Sequence, residues 1–112
     1  MTAPAETLLV LTNLPDADSA RQIARQLVEQ RLAACVNILP ACTSVYRWND
    51  AIESAAEVPL LIKTTLARYP ALQAALTELH PYELPEIIAV PLHEGLPAYL
   101  AWVDTETAEP HP

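Results

Sequence analysis

The sequence predicts an α+β protein with a ferredoxin-like sandwich, in which strands and helices follow one another in the order βαββαβ. Two observations support this fold class. Two segments with helical spacing of apolar residues alternate with strand-like segments, and a long central β-hairpin lies between them. An apolar segment near the end of the chain predicts an extra C-terminal helix. We assign residues 1–104 to a single domain and residues 105–112 to a loose acidic tail.

The start of the chain predicts a strand followed by a helix. The apolar run Thr7–Leu11 is typical of a strand that is buried on both faces. Apolar residues at helical spacing between Ala20 and Leu32 then predict an amphipathic helix. Asp16 or Asp18 is expected to be its N-cap, because a short carboxylate can accept from the first free backbone N–H groups.

The middle of the chain predicts the long hairpin. One strand runs from Ala34 to Trp48, and Pro40 within it indicates a bulge or kink because proline cannot donate to a β-ladder. Asn49 and Asp50 form the turn, since both residue types tolerate positive φ. The return strand runs from Ile52 to Thr65. Strands of this length are expected to overhang a small sheet.

The second half of the chain predicts another helix, a short strand and the terminal helix. Pro70 suits the first turn of a helix that Pro81 then stops. An apolar strand follows at Ile87–Val90. Gly95, which is the only glycine, marks a turn into the last helix, Pro97–Val103.

The composition indicates an oligomer. A chain of 112 residues has little interior, yet 52% of its residues are apolar, so some apolar surface is expected to meet another subunit. An isolated two-stranded ribbon is marginal in water, and pairing with a neighbour would stabilise it. Pro59 in the return strand is expected at a sheet edge or at a bulge.

The charge excludes some classes of partner. Fourteen acidic residues against six basic ones give a net charge of −8. This balance argues against binding to nucleic acids and to anionic membranes, both of which need clustered Lys and Arg. A cationic partner such as a metal ion is electrostatically easier.

The cysteines and the apolar runs indicate a cytoplasmic protein. Leu8–Leu11, the longest early apolar run, is too short to cross a bilayer, and no signal peptide is recognised. Cys35 and Cys42 lie in one predicted strand, where seven residues separate them by roughly 23 Å, which is beyond the reach of a disulfide. Free thiols are typical of a reducing compartment.

The segment LHPYELPEII, residues 79–88, is the richest in functional chemistry. Its prolines fix the backbone between the second helix and the last strand, and a structural role for His80 near a helix C-terminus is the simplest interpretation. His80 with Glu83 and Glu86 could also hold a divalent ion. The chain contains no glycine-rich phosphate loop and no G-x-S-x-G, H-E-x-x-H or C-x-x-C motif, so we predict that it is not an enzyme.

Four stretches resemble the CutA family of divalent-cation tolerance proteins. They are AACVNILPACTSVYRWND, LLIKT, LHPYELPEIIAVP and PAYLAWV, and the resemblance extends from about Thr7 to Asp104. It implies a cytoplasmic homotrimer with hairpin strands that extend between subunits, and a role in tolerance of copper and other divalent cations. The family is also similar in fold and trimeric form to the nitrogen-regulatory PII proteins.

The resemblance implies a ligand cleft between subunits. The residues that match recurrent cleft positions of the family are Tyr46, Trp48, Glu57, Lys63, His80, Tyr82 and Glu86. Thr12 and Leu79 stand where copper-binding relatives can carry Cys and His. Because thiolate and imidazole make copper binding tight, these two differences argue for weak binding of Cu²⁺ or another divalent cation.

Three alternatives remain open beside the metal hypothesis. A PII-like sensor would bind a small anionic ligand in the same clefts, with Lys63 as the charge partner and Tyr46 or Trp48 stacking on the ligand. An enzyme could use His80 and Glu86 as acid and base. A rigid trimeric scaffold would need no ligand. Proton-linked metal binding, salt-sensitive anion binding and substrate turnover distinguish these hypotheses.

Overall fold

A computed structural model describes residues 6–109, and five strands and three helices lie within this range. Their bounds are β1 Thr7–Leu14, α1 Ala17–Glu29, β2 Cys35–Ile38, β3 Cys42–Trp48, β4 Ala51–Thr65, α2 Tyr69–Leu79, β5 Ile88–Pro91 and α3 Pro97–Thr107. The antiparallel sheet has the order β2-β4-β1-β5, and β3 continues the line of β2 along β4. The predicted ferredoxin-like α+β fold with an extra C-terminal helix is confirmed.

The helices α1 and α2 cover one face of this sheet. Asp16 caps α1, with Oδ1 accepting from the Ser19 backbone N–H at 2.7 Å, so one of the two predicted N-caps is confirmed. The core between the layers contains Val10, Leu14, Ala20, Ile23, Leu27, Val58, Leu60, Ile62, Leu72 and Leu76. Because side chains alternate along a strand, Glu57, Pro59 and Leu61 lie on the opposite face, which we call the open face.

A bulge divides the long second strand into β2 and β3. Residues 39–41 separate the two strands, and Ile38 pairs with Leu60 whereas Cys42 pairs with Glu57, so three residues oppose two. Pro59 lies opposite this bulge, and its carbonyl accepts from the Leu39 N–H. The backbone nitrogen of Pro59 points towards the same side and cannot donate a hydrogen bond. Because the bulge interrupts the ladder there, no ladder hydrogen bond is lost. The predicted bulges at Pro40 and Pro59 are therefore one feature.

The hairpin overhangs the domain, as the strand lengths predict. We call β3 together with residues 51–57 of β4 the ribbon. The described chain measures 53 Å along its longest axis and only 30 and 23 Å across. Val45 and Ile52 on the ribbon are each 70% exposed, so a single subunit leaves this part without a core.

The structure corrects the ends of three elements. β1 extends to Leu14 rather than Leu11, and β5 is shifted by one residue to Ile88–Pro91. Helix α3 extends to Thr107, beyond the predicted end at Val103. The Thr107 hydroxyl donates to the Val103 carbonyl at 2.8 Å and is buried, which stabilises this last turn.

The predicted acidic tail therefore loses its first residues. Residues 105–107 belong to α3, and Glu109 forms an ion pair with Arg68 at 2.8 Å. The part of the tail beyond residue 109 lies outside the described residues. Within residues 6–109, no helix has both the length and the apolar character needed to span a membrane. Cys35 and Cys42 are both free thiols, as predicted.

Candidate functional site

A groove of about 880 Å³ lies between the ribbon and residues 81–86, which follow α2. Six of the eight predicted site residues line it: Tyr46, Trp48, Glu57, Tyr82, Glu83 and Glu86. Asn13 and Pro15 at the end of β1 close one side of the groove. The fold therefore brings together the two segments that the sequence marked as functional.

A hydrogen bond between Tyr82 and Glu57 joins the two walls of the groove. The Tyr82 phenol donates to Glu57 Oε2 at 2.9 Å. Burial raises the pKa of Tyr82 strongly, and the bond to Glu57 raises it further. Tyr82 therefore stays protonated and holds the Glu57 carboxylate in place as a fixed negative charge on the groove wall.

His80 lies behind the groove and is only 7% exposed. Its Nδ1 accepts from the Tyr82 backbone N–H at 3.2 Å, so the proton sits on Nε2, which donates to the Asn13 carbonyl at 2.8 Å. Burial lowers the pKa of His80 more than its bond to Asn13 and the charge of Glu57 raise it. Both ring nitrogens are therefore occupied, and His80 positions the start of residues 81–86.

The predicted metal set of His80, Glu83 and Glu86 is not assembled within one chain. In the described range of the chain, no three His, Cys, Asp or Glu side chains lie close enough together to hold a metal ion. His80 has no free nitrogen lone pair for a metal, for the reason given above. Glu83 and Glu86 line the groove and are exposed, so they remain available to a cation there.

Lys63 does not line the groove of a single chain, and its place in a cleft between subunits stays a prediction. Its ammonium group donates to the Asn37 side-chain oxygen and lies 3.9 Å from the Cys35 sulfur. Six residues along β4 separate it from Glu57, which corresponds to roughly 20 Å. Among the described residues that line the groove, none is Lys or Arg, so a single chain offers an anionic ligand no charge partner there.

Thr12 and Leu79, for which the resemblance implied Cys and His in copper-binding relatives, face the interior. Thr12 is buried on the core face of β1, and its hydroxyl has no hydrogen-bond partner among the residues described. Leu79 is partly buried and packs against the core. Neither side chain lines the groove of the single chain.

The family is established by comparison with known proteins. A model of the family described as CutA1 divalent ion tolerance protein matches residues 8–106. The chain belongs to the CutA1 family. The divalent-cation tolerance protein CutA of Thermus thermophilus is 48% identical over 99 residues, which cover 88% of this chain and 96% of that protein.

Solved CutA1-family structures confirm the fold. The structure of the Thermus thermophilus protein has a TM-score of 0.89 at 46% identity, covering 91% of this chain and 99% of the other. CutA1 from Oryza sativa has a TM-score of 0.92 at 33% identity, covering 97% and 100%. The mouse protein CutA is 43% identical over 93% of this chain, which spans only 59% of the mouse protein. The names of the family and of the Thermus thermophilus protein describe divalent-cation tolerance.

One acidic residue of this CutA1-family groove was missed from the sequence. Glu53 lines the groove and lies directly opposite Tyr46 in the ribbon. The signal was available, because a two-residue turn at Asn49-Asp50 fixes the register and pairs residue 46 with residue 53. Asn13 was also missed, and nothing local in the sequence connects its carbonyl to His80, which is 67 residues away.

Proposed function

We propose that this chain is a cytoplasmic homotrimeric protein of divalent-cation tolerance that binds Cu²⁺ or another divalent cation weakly, through Glu83 and Glu86, without enzymatic activity. The observation that carries this proposal is the charge of the groove. Its described lining includes Glu53, Glu57, Glu83 and Glu86 and no basic side chain. The family description, a divalent ion tolerance protein, is consistent with cation binding there.

Weak binding follows from the available ligands. Carboxylate oxygens alone suit hard cations, whereas tight copper sites use imidazole or thiolate. Behind this groove, both ring nitrogens of His80 already form hydrogen bonds within the protein. We therefore expect a Kd for Cu²⁺ weaker than about 1 μM. The same acidic lining disfavours the alternative of a sensor for a small anion.

The trimer and the compartment are supported by surface properties. Val45 and Ile52 expose apolar side chains on the ribbon, which a neighbouring subunit would cover. In such a trimer, the groove would lie in a cleft between two subunits. The exposed free thiol of Cys42 is consistent with a reducing compartment, and cell fractionation tests that location.

A calorimetric titration tests the metal proposal. His93→Gln combined with His111→Gln first removes the other two imidazoles of the chain, because an imidazole can bind copper adventitiously. In this background we expect saturable Cu²⁺ binding that weakens at least tenfold in the Glu83→Gln/Glu86→Gln variant. Glu78→Gln/Glu94→Gln is the matched control, because both glutamates are exposed and neither lines the groove. It also removes two charges and is expected to leave binding unchanged.

Repeating the titration at pH 7.5 and pH 5.5 identifies the ligand type. An imidazole ligand would lose affinity as it becomes protonated, whereas carboxylates ordinarily stay ionised over this range. We expect little change. Binding that is insensitive to the glutamate substitutions would contradict the proposed ligands. The absence of any saturable site would favour the trimeric scaffold.

A further inference from the structure

One corner of the groove combines two aromatic rings with a carboxylate. Tyr46 lies directly opposite Glu53 in the antiparallel pair, which places their Cβ atoms roughly 5 Å apart on the same face. Trp48 is two residues further along β3 and therefore shares this face. All three residues line the groove. This ribbon corner is separate from Glu83 and Glu86, which lie on the opposite wall.

The rings of the ribbon corner are accessible. Tyr46 is 41% exposed and Trp48 is 38% exposed in the chain, although both are large aromatic side chains. Aromatic faces attract organic cations through their quadrupoles, and a neighbouring carboxylate adds a charge-assisted hydrogen bond. A small divalent metal ion prefers oxygen or nitrogen ligands and gains little from the rings. The corner is thus better suited to an ammonium group than to a metal.

A second anionic position lies further along the same strand. Glu57 is four residues from Glu53 on the same face of β4, a separation of roughly 13 Å. Its carboxylate is held in place by the Tyr82 phenol at 2.9 Å. Ala55 lies between the two glutamates and provides a small apolar surface within the groove. This arrangement presents negative charge at two ends of a short apolar path.

We propose that the groove binds a linear polyamine, with one ammonium group at the Tyr46–Trp48–Glu53 corner and another at Glu57. The methylene segments of such a ligand pack over Ala55, and the ammonium groups meet the carboxylates at the two ends. The net charge of −8 favours the encounter with a polycation. This proposal does not depend on metal binding by Glu83 and Glu86.

Tryptophan fluorescence of the assembled protein tests the proposal. Trp102 is in α3 and does not line the groove, so Trp102→Phe leaves Trp48 as the only tryptophan. Titration with spermidine is expected to change the Trp48 emission saturably. We expect the apparent Kd to rise at least tenfold in Glu53→Gln, and n-butylamine, which has one ammonium group, to bind at least tenfold more weakly than spermidine.

Two controls separate specific binding from charge screening. Glu94→Gln removes one charge outside the groove and should leave the spermidine Kd within twofold of the parent. Mg²⁺ at matched ionic strength should not reproduce the fluorescence change. Glu53 is exposed, so its replacement by Gln is expected to preserve folding, which circular dichroism and size-exclusion chromatography check.

Three results would overturn the polyamine site. They are an unchanged Kd in Glu53→Gln, an equal response to Mg²⁺, and shielding of Trp48 from acrylamide in the free oligomer, which would mean that another subunit already covers the corner. Failure of the copper titration leaves this proposal intact, because the two sites use different glutamates. Loss of spermidine binding in Glu53→Gln likewise does not affect the metal proposal.

Discussion

At the scale of single residues, the two hydrogen bonds of His80 require the neutral form of its ring. Nδ1 accepts from the Tyr82 N–H, and only an unprotonated Nδ1 can do so. Protonation of Nδ1 would give it a hydrogen that points at the Tyr82 N–H. Two donors would then face each other at the start of residues 81–86. Because Tyr82 also holds Glu57, the protonation state of one buried ring influences the shape of the groove.

The stability of the protein is therefore expected to fall in mild acid. Burial lowers the pKa of His80 below the ordinary value of 6.5, so the unfolded chain binds more protons than the folded chain. This contribution to the free energy of unfolding is fully present above pH 6.5. It is lost as the pH falls below 6.5 towards the lowered pKa of the folded state. Urea unfolding between pH 7.5 and pH 5.5, at one fixed protein concentration, measures it.

His80→Gln provides the comparison for this pH dependence. Gln cannot gain the proton, so we expect a smaller loss of stability between pH 7.5 and pH 5.5. At pH 7.5 the variant should be about 1–3 kcal/mol less stable than the wild type, since the buried hydrogen bonds are impaired. His93→Gln, at an exposed position, should keep the wild-type slope. Equal slopes in the wild type and His80→Gln would contradict this role.

Much of the site could be predicted by residue type, but its contacts could not. The sequence singled out His80, Tyr82 and Glu57, and the structure places them together. The bonds that define their roles, however, join residues 67 and 25 positions apart. Lys63 shows the same limit, because its position in an apolar strand does not reveal that Asn37 and Cys35 are its neighbours. Local patterns carry no information about such long-range contacts.

At the scale of elements, the hairpin turn imposes a strained backbone on two ordinary residues. Asn49 has φ of 49° and Asp50 has φ of 62°, in the left-handed region that favours glycine. The pair matches a two-residue hairpin turn, in which glycine is preferred at the second position. The turn was predictable because Asn and Asp tolerate this conformation better than other side chains do.

Replacing Asp50 with glycine is expected to stabilise the hairpin. Asp50→Gly relieves the left-handed strain but increases the entropy of the unfolded chain, so we expect a gain of roughly 0.5 kcal/mol. Asp50→Val should instead lose more than about 1 kcal/mol, because a β-branched side chain fits positive φ poorly. Chemical unfolding of the three proteins at equal concentration tests this order. A less stable Asp50→Gly would contradict it.

Most elements were predictable because their signals are local. Alternation, proline positions and the N-cap of α1 located the strands and the first helix without reference to the rest of the chain. The end of α3 was predicted too early because Asp104, Thr105 and Glu106 look like a polar exit from the helix. The last turn is instead stabilised by the buried Thr107 and by the bond from Arg31 to the Glu106 carbonyl. Sequence periodicity does not report such tertiary stabilisation.

At the scale of the whole molecule, the ribbon extends from a small domain with apolar side chains on its surface. Val45 and Ile52 are far more exposed than core residues of the same types. A ribbon with so little burial of its own depends on a partner for stability. In the proposed trimer, each ribbon would be covered by a neighbouring subunit.

A charge on the ribbon is expected to dissociate the proposed trimer. Ile52→Glu would place a carboxylate in the subunit interface, and even beside Arg47, which lies directly opposite, taking these charges out of water is expected to cost several kcal/mol. Analytical ultracentrifugation should then detect a shift from three subunits to one. Gln22→Glu, which adds the same charge at an exposed position of α1 outside the ribbon, is the comparison for charge alone. An Ile52→Glu protein that remains trimeric would show that the ribbon is not the interface.

The bulge at residues 39–41 determines which side of the ribbon carries the aromatic pair. Before it, Cys35 pairs with Lys63, so odd-numbered residues of both strands share a face; after it, Tyr46 pairs with Glu53, so the phase of alternation has changed. If the same residues formed a regular ladder without the bulge, continued from Cys35 and Lys63, then Tyr46 and Trp48 would lie on the reverse of the ribbon from Glu53 and Glu57. Loss of a single codon there would therefore straighten the strand and keep both pairings, whereas loss of a codon elsewhere in β3 would need a new bulge to keep the aromatic face.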